Sequence, residues 1–311
     1  MRSLPLIVLT GPTASGKTSL AIELALKIDA EIVSADSMQI YKMMDIGTAK
    51  PTLEERKGVR HHLIDILEPT QNFSVAEYAK LAHGTIEDIR ARGKNVILTG
   101  GTMLYIDSVV SGINFETTQN DESVREYLLN LYREKGKDHL YNMLCEIDSF
   151  AAGKIHPNNV KRVIRALEIN LLTGKNKKEY EDSTKPNKSF YNEIYFTLEL
   201  DRATLYNKIN DRVDKMVKDG LVEEVKYLYT NNLLGQTAQM GLGYKEIICY
   251  LKGIATLDDA IRILKRDTRR YAKRQITWQR RNKRAIRIDA ARSMSDMLNE
   301  ILQEVGYETI N

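Results

Sequence analysis

Cysteine is nearly missing from this 311-residue chain: it has 2, Cys145 and Cys249, far apart and neither opening a paired metal motif. A disulfide framework or cysteine-based zinc module is therefore not expected, and reduced thiols are. Histidine is scarce too, at 5, and the pair His61-His62 has no third ligand at a suitable spacing. Structural histidines near a strand end are the better reading. No run of about 18 uncharged apolar residues occurs. At the N-terminus only Arg2 precedes a short apolar run. Neither a membrane span nor a signal peptide is expected, and a cytoplasmic location is.

Acidic residues are missing locally rather than globally. The net charge is +4, from 46 Lys and Arg against 42 Asp and Glu, yet Arg262 to Arg287 holds 12 basic residues and Asp267 alone of the acids. The rest of the chain carries 34 basic and 41 acidic residues, a net of −7, against a local excess of +11. So many like charges repel unless a polyanion neutralises them, which points to a phosphate backbone. A packed stripe, Ile261, Leu264, Thr268, Tyr271, Gln275 and Trp278, recurs at spacings of 3 and 4 in this segment. It leaves Arg269, Arg270, Lys273 and Arg274 on other faces of one long helix.

What is present in full is a phosphate-binding loop. Gly11-Pro12-Thr13-Ala14-Ser15-Gly16-Lys17-Thr18 fills every fixed position of G-x-x-x-x-G-K-[ST]. The apolar run Leu4 to Leu9 precedes it as a strand, and Ser19 to Leu26 follows with helix-forming composition. Successive N–H groups and the helix N-terminus favour an anion, Lys17 adds a full charge, and the Thr18 hydroxyl suits Mg2+. The loop specifies a diphosphate or triphosphate without specifying its carrier.

Further strands are expected at Glu31–Ala35, Arg60–Ile66 and Asn95–Leu98, with a helix over Val75–Arg92. The βαβ alternation predicts an α/β fold, a P-loop-type doubly wound parallel sheet. The second strand delivers Asp36 to the end that faces the phosphate loop. There Asp36 reads as a general base or a magnesium neighbour, with a turn cap as the rival. Tyr41 to Thr52 reads as a loop and a candidate mobile flap, and Gly241-Leu242-Gly243-Tyr244 as a turn. Thr99-Gly100-Gly101-Thr102 stands where many phosphate-loop ATPases carry a metal-binding Asp, which argues against a motor or switch. Helices without strands then fill 114–188, an inserted all-helical subdomain that leaves through the polar linker Glu181–Lys188. The catalytic core is thus expected to be discontinuous, 1–113 with 189–311, closed by a strand at Glu193–Leu200, helices, and a last strand at Ala285–Ile288.

The phosphate loop, Asp36-Ser37-Met38-Gln39-Ile40-Tyr41, Asp45-Ile46-Gly47-Thr48-Ala49-Lys50, Gly100-Gly101-Thr102-Met103-Leu104-Tyr105, His156-Pro157-Asn158-Asn159 with Lys161 to Arg165, Gly243-Tyr244-Lys245-Glu246, and Lys273-Arg274-Gln275-Ile276-Thr277-Trp278 together resemble the tRNA dimethylallyltransferase (tRNA isopentenyltransferase) family almost end to end. The resemblance implies transfer of a dimethylallyl group from dimethylallyl diphosphate to N6 of the adenosine 3′ to the anticodon, tRNA position 37. The tRNAs would be those reading codons that begin with U, and the product N6-(dimethylallyl)adenosine. It implies Asp36 as the base, Thr102 at the target nucleotide or the diphosphate, and Arg212 with Lys17 on the diphosphate. Ser37, Met38, Gln39, Arg125, Lys161, Arg162, Val163, Ile164 and Arg165 would meet the anticodon stem-loop of tRNA. Lys273 and Arg274 join them from the basic helix, and a monomer is expected. An ATP-dependent small-molecule kinase and a tRNA-binding protein with a vestigial loop are the alternatives; neither accounts for the insert and the basic helix together with an intact Lys17-Thr18. Met43-Met44 departs from the family pattern where a glycine is expected before Asp45.

Overall fold

The computed structural model describes residues 5–111, 122–184 and 190–307. Six parallel strands form one sheet: β1 (Leu6–Thr10), β2 (Ala30–Ser34), β3 (His61–His62), β4 (Asn95–Gly100), β5 (Glu193–Glu199) and β6 (Ile286–Asp289), in the order β3-β2-β4-β1-β5-β6. The central strand β1 is buried along its whole length, and successive residues serve opposite faces. Ile7 and Leu9 pack with helices Lys17–Ile28 and Met294–Glu304; Leu6 and Val8 pack with Val75–Ala91 and Met103–Val110. Helices on both faces of a parallel sheet demand this continuous apolar run. The α/β, doubly wound architecture is therefore present as expected.

By compactness the chain divides into Met1–Val110 with Tyr191–Asn311, and Ser111–Phe190. The first unit also contains a helical layer, Leu221–Thr230, Tyr244–Leu251 and Leu257–Gln279, whose core takes in Ile40, Tyr41 and Met44. The second unit is helical and has its own core of Leu128, Leu140, Leu144 and Leu167. Its first helix, Glu122–Ile147, breaks at Gly136 (φ 79°, ψ 178°), giving the expected pair. The expected boundaries at 113/114 and 188/189 lie outside the described residues, as does the linker from 185 to 188.

Three local expectations fail. Glu181–Thr184 is not linker but the end of helix Lys177–Thr184. Asn176 and Glu179 start that helix with reciprocal side-chain to backbone bonds of 2.9 and 3.0 Å, a capping box built from Asn. The third strand is only His61–His62 long, because the amides of Asp65 and Ile66 turn to the carbonyls of Gln39 (3.2 Å) and Ile40 (2.9 Å) instead of the sheet. Leu63 and Asp65 take positive φ to make that turn. Nor is Tyr41–Thr52 a free flap. The buried Lys50 ammonium donates to Tyr41 O (2.9 Å), Asp45 Oδ1 (2.5 Å) and Asp65, tying both ends of the loop together. Among the described residues no helix is long and apolar enough to cross a membrane.

Candidate active site

The end of β1 leads through Gly11–Gly16 into helix Lys17–Ile28, whose first turn holds no acidic residue to offset its positive end. Ser15 N donates to Pro12 O (3.2 Å), folding the loop back on itself. Ala14 and Gly16 supply positive φ, 64° and 89°. A residue far along the chain anchors the loop: Gln275 accepts from Thr13 N (2.9 Å) and donates to Gly101 O (2.8 Å), which the Tyr271 hydroxyl also reaches (3.1 Å). Gln275 thus couples the phosphate loop to the turn after β4.

Lys17 and Arg212, the latter on helix Arg202–Lys218, share this end of the sheet with Asp36. Enclosure, with Arg212 assisting and Asp36 opposing, lowers the Lys17 pKa to about 8. Burial likewise weakens the hold of Arg212 on its proton, against Asp36. Two enclosed cations facing one carboxylate leave a net positive site, and a diphosphate would relieve it.

Asp36 follows β2. Its Oδ1 accepts from Met38 N (2.9 Å) and Gln39 N (3.4 Å), so the carboxylate caps its own turn with one oxygen. Thr102 fixes the same turn: its Oγ1 accepts from Ser37 N (3.0 Å) and donates to Ser37 Oγ (3.1 Å). The approach of β4 to β2 here is tight enough that a Cβ on Gly100 would lie 2.2 Å from Ala35 O. Only glycine fits, which explains the Thr-Gly-Gly-Thr run in place of an acidic residue. Gln39 is already engaged, donating to Thr48 O (3.3 Å) and Ala49 O (3.4 Å).

A cavity of about 340 Å³ gathers Thr13, Lys17, Thr18, Asp36, Ser37, Met38, Gln39, Arg212 and Arg274. Its apolar wall includes Ile32, Ile64, Val213, Met216 and Leu264. A second cavity, about 580 Å³, opens on the other side of Lys17 and Thr18 and adds Lys57 and Lys208. Not all expected contacts gather at this cavity. In the helical unit Arg125 and Arg165 both bind the buried Glu168, at 3.0 and 3.3 Å. Val163 and Ile164 lie in that unit's core, so only Lys161, Arg162 and Arg165 of the stretch present side chains outward. The helical period, with apolar residues turned inward, separates them.

The basic helix also departs from expectation. Its buried face is Ala260, Leu264, Thr268, Ala272, Gln275 and Gln279. Trp278 is 36% exposed, its indole N–H donating to Asp107 (2.7 Å) and Arg281 lying 5.4 Å over its ring. Spacings of 3 and 4 average 3.5, whereas the helix turns every 3.6 residues, so the stripe drifts out of the core by its last turn. Many charges are paired. Arg262 meets Asp259 (2.8 Å), Lys265 meets Asp214 (2.6 Å), Arg266 and Arg270 meet Asp267 (2.9 and 3.6 Å), and Arg287 meets Glu199. Arg269 donates to Asn210 (2.6 Å). Lys273, Arg274, Arg280, Arg281, Lys283 and Arg284 form no ion pair among the described residues.

Fold and site together define a P-loop-type α/β protein in which a phosphate loop faces a carboxylate across a partly apolar cavity. The IPP transferase family matches residues 39–282. The chain is 50% identical over 302 residues to the tRNA dimethylallyltransferase of Carboxydothermus hydrogenoformans, covering 97% of each. It is 48% identical over 305 residues to that of Clostridioides difficile, again covering 97% of each. Its structure is similar to the tRNA isopentenylpyrophosphate transferase of Bacillus halodurans (TM-score 0.73, 41% identity, 98% of this chain and 97% of the other). A eukaryotic dimethylallyltransferase acting on tRNA is similar at a TM-score of 0.79 and 30% identity, over 93% of this chain and 74% of that one. The chain belongs to the IPP transferase family.

Proposed function

We propose that this protein transfers the dimethylallyl group of dimethylallyl diphosphate to N6 of the adenosine next to the anticodon, position 37, in tRNAs reading codons that begin with U. The observation that carries this reading is the apposition of two enclosed cations, Lys17 and Arg212, and the Asp36 carboxylate in one cavity with an apolar wall. The cations suit a diphosphate, the wall a five-carbon chain, and the carboxylate an exocyclic amine. Relatives named for this reaction over 97% of the chain support it.

In the reaction the N6 lone pair forms a bond to C1 of the dimethylallyl group. The C1–oxygen bond breaks, diphosphate leaves with the bonding pair, and the amine proton passes to Asp36. The adenine amine is a weak nucleophile because its lone pair is delocalised into the ring, so proton removal by a held carboxylate promotes attack. Lys17, Arg212 and the loop amides of Gly11 to Thr18 offset the charge of the leaving diphosphate. The Thr18 hydroxyl and the oxygens of the diphosphate are the hard ligands that Mg2+ takes, and among the described residues no cluster of three acidic, His or Cys side chains offers a rival site. Held there, Mg2+ would supply further charge for the leaving group. The base must leave its stack to enter the cavity, where Ser37 and Met38 receive it and Thr102 holds the Ser37 turn in place. Lys273 and Arg274, and Arg125, Lys161, Arg162 and Arg165 of the helical unit, serve the anticodon stem-loop. The reading is of a monomer working where tRNA is, in the cytoplasm.

The test is incubation with unmodified tRNA and labelled dimethylallyl diphosphate, beside ATP with labelled γ-phosphate. Label in tRNA at adenosine 37 supports the reading; phosphoryl transfer without prenyl transfer overturns it in favour of a kinase. Asp36→Asn keeps the size and one hydrogen-bond acceptor but cannot take the proton, so single-turnover transfer falls by about 10²- to 10⁴-fold. A rate within a few-fold of wild type would leave Asp36 as a turn cap alone.

A further inference from the structure

Glu224 lies on helix Leu221–Thr230, and no step above uses it. Its carboxylate accepts from the backbone N–H groups of Asp45 (2.9 Å), Ile46 (2.7 Å) and Gly47 (3.0 Å) and from the Tyr244 hydroxyl (2.6 Å). Successive amides aimed at one point form an anion-binding nest. Here the protein fills that nest with its own side chain. Tyr244 is fully buried, and a Cβ on Gly47 would lie 2.5 Å from its ring, so the loop is seated against the tyrosine with no spare room.

The other side of the same loop holds the Asp36 turn. Thr48 O and Ala49 O accept from Gln39 Nε2, at 3.3 and 3.4 Å. Gln39 N in turn donates to Asp36 Oδ1 (3.4 Å), beside Met38 N (2.9 Å). Hydrogen bonds joined by the short backbone of loop 45–49 and by Gln39 itself therefore connect Glu224 to the carboxylate of Asp36.

We propose that Glu224 is a positioning residue for prenyl transfer, fixing the Asp36 carboxylate through loop 45–49 and Gln39. The proposal rests on Asp36 being the base. A carboxylate is needed because four donors converge on it: an ionised carboxylate only accepts, through about four lone-pair sites, whereas an amide would set its own NH2 against one or more of them.

Wild-type transfer to tRNA is measured first; its failure would count against the proposed function and not against this role. Glu224→Gln is then expected to lower the single-turnover rate at saturating substrates by about 10- to 100-fold, the cost of misplacing a reacting group by an ångström or less. The donor KM should stay within a few-fold. In an Asp36→Asn background the same change should add little, because the group it positions is already disabled. Amide exchange should quicken at Asp45, Ile46 and Gly47 and also at Met38 and Gln39, which do not touch Glu224. Should Glu224→Gln fail to fold, Tyr244→Phe removes one donor and leaves the carboxylate; a smaller loss with the same dependence on Asp36 is expected. A wild-type rate in the folded variant, losses that multiply in full with Asp36→Asn, or unchanged exchange at Met38 and Gln39 would overturn the proposal.

Discussion

A lysine enclosed beside an arginine holds its proton less firmly than one in water, and Lys17 shows the effect with a pKa of about 8. Inorganic diphosphate should therefore bind more weakly as pH rises above about 8, since Lys17 loses the charge that attracts the ligand. Titration calorimetry between pH 7 and 9.5 checks this. Lys17→Arg should remove the break, and a break that persists in that variant would assign it to another group. Met43 is the second residue whose chemistry runs against its place. Its φ is 60°, the left-handed region, which explains why a glycine was expected just before Asp45. Left-handed backbone costs a side-chain-bearing residue about 1–2 kcal/mol, and glycine gives back about 0.5–1 in unfolded-state entropy. Met43→Gly should raise stability by up to about 1 kcal/mol in urea unfolding, with the transfer rate unchanged. The phosphate loop was legible because its residues are consecutive, and Asp36 because strand ends converge. Gln275 and Glu224 were not, because Gln275 binds Thr13 from 262 residues away and Glu224 binds Ile46 from 178. No local pattern carries such a partnership.

Helix Leu257–Gln279 shows what a linear charge count omits. Thr256 caps its start and Asp258 and Asp259 occupy its first turn, so its existence was plain in the sequence. Its electrostatics were not, because Asp214 and Glu199 arrive from helix Arg202–Lys218 and β5 to neutralise Lys265 and Arg287. Charges already paired release few counterions when RNA binds, whereas Lys273 and Arg274 form no ion pair among the described residues. Replacing both by alanine should reduce the slope of log affinity for tRNA against log salt by roughly 1 to 2. The same replacement of Arg262 and Lys265 should change it by much less. Filter binding across a salt series distinguishes the two. Equal slopes in both double variants would mean that Lys273 and Arg274 do not meet the phosphate backbone. The edge strand was misjudged for a related reason: the central strands read as apolar runs because both their faces are covered, whereas His61–His62 ends where backbone partners from the Gln39–Ile40 turn take over.

At the scale of the molecule, the sheet is pinned at the opposite end from the site. Glu31 on β2 accepts from Arg92, which follows helix Val75–Ala91 (Nη2 at 2.8 Å), and pairs with His62 on β3 (2.6 Å). Strand, helix and edge strand meet at one carboxylate. The Arg92 hydrogen bond draws the Glu31 pKa down to about 2 against the upward push of burial, with His62 assisting. A carboxyl group held below its unfolded value of 4.5 stabilises the fold above that pH and ceases to do so as pH falls toward 2. Because Arg92 is one-third exposed, screening reduces the contribution to about 1–2 kcal/mol. Wild type should therefore exceed Glu31→Gln in unfolding free energy by about that much at pH 6, and the gap should close between pH 4.5 and 2. Urea midpoints for both proteins across that range measure it. A gap that stays constant with pH would assign the effect of the substitution to packing at the strand junction, and one that widens toward acid would reverse the sign of the linkage.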